Sequence, residues 1–196
     1  MTNTTRHLPI GVFDSGLGGL TALGPLIERL PAESTIYLGD LAHTPYGDKT
    51  PEEISRYAVE GYEFLAERGI KALVVACNSA SAVALPALHA CAQVPIFDVV
   101  NPGSVIAERH SRSRAIGVVG TAATVASQAY VLELKSIDIN LTVHQAACPQ
   151  LAPMIERDIS GVETYLEIVR DCLRGLPLHD IDTLILGCTH YPLIRD

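Results

Sequence analysis

Two cysteines stand in matching surroundings at two places in the chain. Cys77 follows the apolar run of residues 71–76, and Cys188 follows the apolar run of residues 182–187. The polar residues that come next are Asn78 and Ser79 in the first copy, Thr189 and His190 in the second. A thiol has an ordinary pKa of about 8.5, and a helix N-terminus or a cation can lower it so that the group serves as base, acid or nucleophile.

A pair of thiols related by an internal repeat suits the inversion of a stereocentre. Moving a proton from one face of a carbon atom to the other needs a base on the first face and an acid on the second. A thiol hydrolase would instead need one cysteine with a partnered histidine and a covalent intermediate, and a second thiol would add nothing. We therefore expect proton transfer between Cys77 and Cys188, with hydrolysis as the alternative.

A glycine-rich turn follows the first apolar run of the chain. Residues 9–13 are predicted to form a buried strand, which Asp14-Ser-Gly-Leu-Gly-Gly19 connects to a helix. Backbone N–H groups and the positive helix end at such a turn can hold an anion, including a carboxylate. Thr21 stands where a dinucleotide fingerprint has its third glycine, and no Gly-Lys-Ser/Thr follows as in a P-loop. The turn is predicted either to bind an anion or to be a plain connection.

Strand patterns alternate with helical patterns along the chain, and these elements must position the cysteines. The predicted strands are residues 9–13, 35–38, 73–76, 95–100, 115–119, 139–144 and 183–186. The clearest helix begins at the capping box Thr50-Pro-Glu-Glu53, another runs from about Ser79 to Cys91, and a later one is capped by Ser160-Gly-Val-Glu163. Such alternation predicts an α/β fold with parallel sheets and helices on both faces of each sheet.

The apolar runs also repeat. The segment Ile10–Ser15 resembles Ile116–Thr121, and the two cysteine segments follow in the same order at nearly the same spacing. We therefore expect two similar doubly wound lobes, residues 1–100 and 101–196, related by a pseudo-two-fold axis. Asn101-Pro-Gly103 is the expected boundary, because Pro and Gly interrupt the pattern there. Ligands of parallel sheets bind beyond the carboxyl ends of the strands, so the active site is expected in the cleft between the lobes.

Composition narrows the classes of function. The chain has 196 residues, a net charge of −8 and 48% hydrophobic residues, with no cluster of Lys and Arg to hold a nucleic acid. No apolar run is long enough to cross a membrane and the N-terminus has no signal-peptide pattern, so we expect a cytoplasmic protein. Five cysteines, an odd number with no C-x-x-C pair, argue against a disulfide framework and against a structural zinc site.

Taken together, these motifs resemble the aspartate/glutamate racemase family along nearly the whole chain. The segments that carry the resemblance are Gly11-Val-Phe-Asp-Ser-Gly-Leu-Gly-Gly19, Gly39-Asp40 with Pro45-Tyr-Gly47, Ala76-Cys-Asn78, Cys148-Pro149 with Glu156, and Gly187-Cys-Thr-His-Tyr-Pro-Leu193. The last segment contains Thr-His rather than Thr-Glu, and in this it resembles the glutamate-specific members of the family. A related aspartate racemase is the alternative. The resemblance implies racemisation of glutamate without metal or other cofactor, and D-glutamate for peptidoglycan synthesis.

The resemblance also implies roles for individual residues. Cys77 and Cys188 match the proton-transfer cysteines, the first removing the α-proton of D-glutamate and the second that of L-glutamate. Asp14 matches the group that assists the first thiol, and Glu156 and His190 match the groups that assist the second. The implied substrate-binding residues are Asp14, Ser15, Tyr46, Gly47, Asn78, Ser79, Thr121, Thr189 and His190. Ser79 departs from the family's usual Thr but keeps the hydroxyl.

Two questions stay open at this point. The family is longer than this chain, and its C-terminal segment packs back onto the first lobe, so a chain that binds glutamate without turnover is the second hypothesis. His43, near the Pro-Tyr-Gly turn, is compatible with solvent or with the rim of the cleft. The expected partner is a small-molecule substrate, glutamate, rather than nucleic acid or membrane. The sequence is also compatible with a homodimer.

Overall fold

The computed structural model describes residues 6–157 and 162–194 of the chain. Seven strands form in this part of it: β1 Ile10–Asp14, β2 Thr35–Gly39, β3 Ala72–Val75, β4 Ile96–Asp98, β5 Ala115–Gly120, β6 Thr142–Ala147 and β7 Thr183–Gly187. The helices are α1 Leu20–Arg29, α2 Pro51–Ala66, α3 Asn78–Val83, α4 Leu85–Cys91, α5 Val100–His110, α6 Ala122–Ala126, α7 Ala129–Ile137, α8 Leu151–Arg157 and α9 Val162–Leu173. Short 3-10 turns cover Tyr46–Asp48 and Tyr191–Ile194.

The strands form two parallel sheets, and the first three strands of the larger sheet have the same order as the three strands of the smaller one. The first sheet runs β2-β1-β3-β4 and the second runs β6-β5-β7. β1 is therefore the counterpart of β5, and β3 is the counterpart of β7, as the sequence repeat predicts. The α/β class with two lobes is confirmed, whereas the exact division at residues 100 and 101 stays a prediction.

The central strand of each sheet, β1 or β5, is covered on both faces by apolar side chains. Val12 of β1 packs with Leu23 of α1 on one face, and Phe13 packs with Ile54 of α2 on the other. In the second lobe, Val118 of β5 packs with the α5 and α7 side, and Val119 faces α8 and α9. Strands buried on both faces read as continuous apolar runs, which is the pattern the sequence shows.

The strongest local sequence signal gives the expected helix. The Thr50 hydroxyl accepts a hydrogen bond of 3.2 Å from the Glu53 backbone N–H, and the Glu53 carboxylate accepts one of 3.0 Å from the Thr50 N–H. This reciprocal capping box starts α2 with Pro51 in its first turn. The cap predicted at Ser160 lies outside the described residues.

Residues 101–103, where the boundary between the lobes is predicted, lie in the first turn of α5. The Asp98 carboxylate accepts hydrogen bonds from the backbone N–H groups of Val100, at 2.7 Å, and Asn101, at 2.9 Å. Pro102 fits this first turn of α5 because the first N–H groups of a helix have no partner within the helix. The helix packs on β7 and α7, so it belongs to the second lobe.

Two further elements differ from their predicted limits. The helix expected over residues 79–91 is divided at Ala84 into α3 and α4, and Pro86 lies in the first turn of α4. The strand expected from residue 139 starts at Thr142, because the Asp138 carboxylate accepts a hydrogen bond of 2.8 Å from the Asn140 N–H and forms a turn. In both places a side chain or proline that interrupts the backbone pattern outweighs the apolar periodicity.

Candidate active site

A small cavity lies between the carboxyl ends of the two sheets. Ten of the twelve residues predicted for the site line it: Ser15, Tyr46, Gly47, Cys77, Asn78, Ser79, Thr121, Cys188, Thr189 and His190. Pro45 and Ala152, which are not among the predicted site residues, complete the lining. The remaining predicted residues, Asp14 and Glu156, do not line the cavity. They form hydrogen bonds to two residues that do, Thr189 and His190 respectively.

Cys77 follows β3 and occupies the cap position at the start of α3. Its side chain is 3% exposed, and its thiol donates a hydrogen bond of 3.5 Å to the Ser15 hydroxyl. Burial raises the pKa of Cys77 to about 11, and the negative charge of Asp14 adds to this effect. The sequence suggested that a helix N-terminus or a cation would lower the pKa of the thiol. In this cavity the loss of water outweighs the hydrogen bonds to Ser15 and the α3 backbone.

Cys188 follows β7 and lies in the second lobe's half of the cavity. Burial raises its pKa above the ordinary range, and a negative charge on Cys77 raises it further. The Cys188 sulfur lies 3.8 Å from Nδ1 of His190, and Nε2 of His190 hydrogen-bonds to the Glu156 carboxylate. A thiol, an imidazole and a carboxylate thus form a connected row, in which the carboxylate orients the imidazole toward the thiol.

Asp14 is fully buried at the end of β1. Its carboxylate accepts hydrogen bonds from the Gly16 N–H at 3.0 Å and from the Thr189 hydroxyl at 3.2 Å. Burial raises the pKa of Asp14, and the hydrogen bonds from the Gly16 and Gly19 backbone partly oppose this effect. Among the described contacts, Asp14 influences Cys77 through its charge rather than through a hydrogen bond.

Hydroxyl groups of the two lobes meet on one wall of the cavity. Ser79 of the first lobe lies 2.9 Å from Thr121 of the second lobe, measured between hydroxyl oxygens, and Thr121 lies 3.0 Å from Thr124. Thr124 is fully buried and was not predicted from the sequence. Its position three residues after Thr121, whose side chain caps α6, is the one local signal that could have indicated it.

The Pro-Tyr-Gly segment contributes backbone rather than a free hydroxyl. The Tyr46 hydroxyl donates a hydrogen bond of 2.7 Å to Asp40, which also pairs with His43. His43 stacks on Tyr57 with ring centroids 3.8 Å apart and is not part of the cavity lining. Gly47 allows the lobes to approach closely, since a Cβ atom there would lie 2.7 Å from Cβ of Thr121.

The remaining cysteines lie outside the proton-transfer cavity. Cys148 and Cys172 are paired in one disulfide with Cα atoms 5.4 Å apart, whereas the cysteine pattern argued against a disulfide framework. An odd cysteine count without a C-x-x-C pair gave no indication of this pairing, because α9 brings Cys172 to Cys148 only through tertiary packing. Cys91 is half-buried on α4, and its thiol donates to the Leu88 carbonyl at 3.5 Å.

The charge pattern limits what the site can bind. No Lys or Arg lines the cavity in the described part of the chain, so hydroxyl, amide and backbone N–H groups are the available donors for a carboxylate. Within the same residues, no group of three or more His, Cys, Asp or Glu side chains is arranged to hold a metal ion. None of the described helices is both long enough and apolar enough to cross a membrane.

Comparison with known proteins places the chain among racemases. The model of the Asp/Glu/hydantoin racemase family matches residues 23–196. A glutamate racemase of Geobacter metallireducens is 47% identical over 186 residues, covering 95% of this chain and 69% of the relative. A crystal structure of a Bacillus anthracis glutamate racemase isoform has a TM-score of 0.92 at 43% identity, covering 96% of this chain and 71% of that one. A Francisella tularensis glutamate racemase in complex with D-glutamate has a TM-score of 0.88 at 37% identity, covering 96% of this chain and 71% of that one. The chain therefore belongs to the Asp/Glu/hydantoin racemase family.

Proposed function

We propose that this protein is a glutamate racemase that interconverts L- and D-glutamate by two-base proton transfer between Cys77 and Cys188. The observation that carries the proposal is the placement of one buried thiol from each lobe in a single cavity, at equivalent strand ends. The relatives named above, at 37–47% identity, are glutamate racemases, which supports glutamate as the substrate.

The reaction needs one thiolate and one thiol at the same time. The thiolate removes the α-proton from one face of the substrate, and the thiol of the other cysteine donates a proton to the opposite face. Starting from D-glutamate, Cys77 is the base and Cys188 the acid; the roles are reversed for L-glutamate. Each turnover exchanges the protonation states of the two sulfur atoms. The original protonation states must be restored before another molecule of the same enantiomer can react.

Burial gives the thiolate the strength that the reaction demands. An α-proton of an amino acid is far less acidic than a thiol, so a base with a raised pKa reduces the difference that must be overcome. Because burial raises the pKa of both cysteines, a thiolate in the cavity needs a nearby positive charge. The α-ammonium group of the substrate supplies this charge, so we expect substrate binding to favour ionisation of the base.

Neutral donors stabilise the developing negative charge on the substrate carboxylate. The Ser15, Ser79 and Thr121 hydroxyls and the neighbouring backbone N–H groups are the donors available for this role. In a cavity that excludes water, such fixed dipoles stabilise charge more than they would in solution. Asp14 is assigned to assist Cys77, because, beyond the effect of burial, its negative charge raises the pKa of that thiol and makes the thiolate a stronger base. The His190–Glu156 pair is assigned to assist Cys188.

The lobes must separate to admit substrate. The cavity holds about 20 Å³, which is room for about one water molecule and not for the ten heavy atoms of glutamate. Opening would break the hydrogen bonds that join the lobes, including those from Thr189 to Asp14 and from Thr21 to the Thr189 carbonyl at 3.0 Å. For proton transfer the lobes must then close again around the bound substrate, in a wider cavity than the present one, so that water is excluded from the thiols.

In a cell, this activity would supply D-glutamate for peptidoglycan synthesis. The proposed location is the cytoplasm, and the proposed assembly is a homodimer. These assignments follow from the family resemblance.

Circular dichroism tests the activity directly. Purified protein incubated with D-glutamate should remove the signal of the substrate, as should an incubation that starts from L-glutamate. The Geobacter metallireducens relative serves as the positive control. An unchanged signal beside an active control would overturn the proposal, and faster turnover of aspartate than of glutamate would assign the chain to aspartate racemisation instead.

Binding of glutamate without turnover is the second candidate function, and one observation favours it. Leu184 and Leu186, on the strand that leads to Cys188, are 40% and 36% exposed, so one face of β7 is incompletely covered. A strand that is packed on one face positions the following turn less firmly, and a displacement of about 1 Å can cost on the order of 100-fold in rate. Calorimetric binding of glutamate by a protein that does not racemise it would establish this candidate.

A further inference from the structure

Tyr130 is a buried polar side chain to which the proton-transfer scheme assigns no task. It lies in the first turn of α7 and is 1% exposed. Its ring packs in the core of the second lobe with Val118 and Ile185, which by itself would explain an aromatic residue at this place. A phenylalanine would fill the same space, so the hydroxyl group needs a separate explanation.

The ring of Tyr130 lies against the backbone that leads to Cys188. A Cβ atom added to Gly187 would be 3.2 Å from Cε2 of Tyr130 and 2.9 Å from the Val119 carbonyl oxygen. Gly187 directly precedes Cys188, so the ring and β5 confine the turn that carries the second thiol. On its other side, the ring approaches Gly103 of α5, where a Cβ atom would be 3.7 Å away.

The hydroxyl of Tyr130 reaches the other lobe. It accepts a hydrogen bond of 2.8 Å from the Asn78 side-chain amide. Asn78 directly follows Cys77, is 6% exposed and lines the cavity. One side chain therefore contacts both thiol-bearing turns, with its ring on the second and its hydroxyl on the residue after the first.

The hydrogen bond determines which part of Asn78 faces the cavity. A side-chain amide that is held at one end presents its other end in a fixed direction, whereas an unheld amide can rotate. Burial raises the pKa of Tyr130 to about 12, so its hydroxyl stays neutral at physiological pH and can serve as donor or acceptor. An ionised tyrosine in this position would instead place a negative charge beside the substrate carboxylates.

We propose that Tyr130 is a positioning residue for racemisation, holding the Asn78 amide toward the substrate while its ring confines the turn of Cys188. The inference rests on the proposed function, because it assigns Asn78 to substrate binding. It predicts that removal of the hydroxyl alone weakens substrate binding, while the retained ring keeps the thiols in place.

The test compares Tyr130→Phe with Tyr62→Phe. Tyr62 is 5% exposed in the core of the first lobe, and its hydroxyl accepts a hydrogen bond of 2.8 Å from the Gln93 N–H. Both variants lose one buried hydroxyl and leave one N–H donor without its partner, but Tyr62 does not line the cavity. For Tyr130→Phe we expect the KM for both enantiomers to rise about tenfold, which is the effect typical of losing one buried hydrogen bond. We expect kcat to change less than about threefold. For Tyr62→Phe we expect both constants to remain near those of the unsubstituted protein.

A double-mutant cycle with Asn78→Ala separates a positioning role from a general effect on stability. If Tyr130 acts through Asn78, Tyr130→Phe should raise the KM no further in the Asn78→Ala background. Additive effects on KM, or a Tyr130→Phe variant that matches Tyr62→Phe, would overturn the inference while the unsubstituted protein still racemises. Absence of racemisation in the unsubstituted protein would overturn the proposed function, and the inference with it.

Discussion

The Thr189 hydroxyl donates a hydrogen bond of 3.2 Å to the Asp14 carboxylate across the cleft. Thr189 follows the thiol of the second lobe, and Asp14 ends the strand beside the thiol of the first lobe. The contact therefore joins the supporting group of one thiol to the turn of the other, and it can form only when the lobes are closed. A substitution at Asp14 that keeps an acceptor oxygen tests its charge without breaking this contact.

Replacing either cavity cysteine should abolish racemisation but not every reaction. We expect Cys77→Ser and Cys188→Ser each to lower kcat by at least about 1,000-fold, because one face of the carbanion loses its proton carrier. Each variant should still eliminate chloride from a glutamate analogue chlorinated at the β-carbon, since elimination needs proton removal from one face only. Circular dichroism and chloride release measure the two reactions. Cys91→Ser is the matched control and should racemise normally; racemisation near the unsubstituted rate by either cavity variant would refute the two-base assignment.

The partners of the two thiols should affect the two directions differently. His190→Asn is expected to lower the kcat for L-glutamate more than that for D-glutamate, and Asp14→Asn is expected to do the reverse, because each partner supports one thiol. The equilibrium constant cannot change, so the ratio of the two kcat/KM values must remain at one. Turnover measured in both directions across pH checks the assignment. Equal losses in both directions for both variants would show that neither partner belongs to one thiol.

The raised thiol pKa values predict the sign of the pH dependence. Burial raises the pKa of Cys77 to about 11, so below this pH the thiolate fraction of the free protein rises about tenfold per pH unit. We expect kcat/KM to increase from pH 7 to pH 9, because the base becomes available while the acid, whose pKa is also raised, stays protonated. Initial rates in a series of overlapping buffers measure this profile. A profile that is flat or falls over the same range would contradict the assignment of a buried thiolate as the base.

Gly47 should not tolerate even the smallest side chain. In a Gly47→Ala variant the new Cβ atom would lie 2.7 Å from Cβ of Thr121 and 2.9 Å from its Cγ2, so the lobes cannot close fully. We expect kcat/KM to fall on the order of 100-fold, the cost of a displacement of about 1 Å at a reacting centre. Gly175→Ala is the control, because no atom lies within 4 Å of the added Cβ there. Equal activity of the two variants would show that full closure at Gly47 is not needed.

The buried charge of Asp14 should lower the stability of the fold at neutral pH. Burial raises its pKa above the unfolded value, so the folded state binds the proton more tightly, and this contribution to stability is present at low pH and lost as the pH rises through the folded pKa. We therefore expect Asp14→Asn to raise the Tm at pH 7 and to bring little change at low pH, where Asp14 is protonated. Thermal unfolding followed by circular dichroism at several pH values measures the difference. A lower Tm for the variant at pH 7 would mean that the hydrogen bonds of the carboxylate outweigh the cost of burying its charge.

Local sequence patterns determined the elements and their order. Continuous apolar runs gave the buried strands, and the Thr50-to-Glu53 box gave the start of α2, because both signals depend on residues close together in the chain. The repeat of the cysteine segments by itself predicts that Cys77 and Cys188 lie at equivalent strand ends. Signals of this kind fail where a neighbouring side chain intervenes. Asp98 accepts hydrogen bonds from the first N–H groups of α5, and the strand expected to reach residue 100 ends at Asp98.

Tertiary structure alone decided what surrounds the two thiols. The contact of Tyr130 with Asn78 joins residues 52 positions apart, and that of Thr189 with Asp14 joins residues 175 positions apart. No local periodicity encodes such pairs, because they depend on how the two lobes close. The same closure buries both cysteines and raises their pKa values, where the sequence had suggested a cation or helix end that would lower them. Residue types fixed which groups can carry protons, whereas the loss of water on packing set how strongly they hold them.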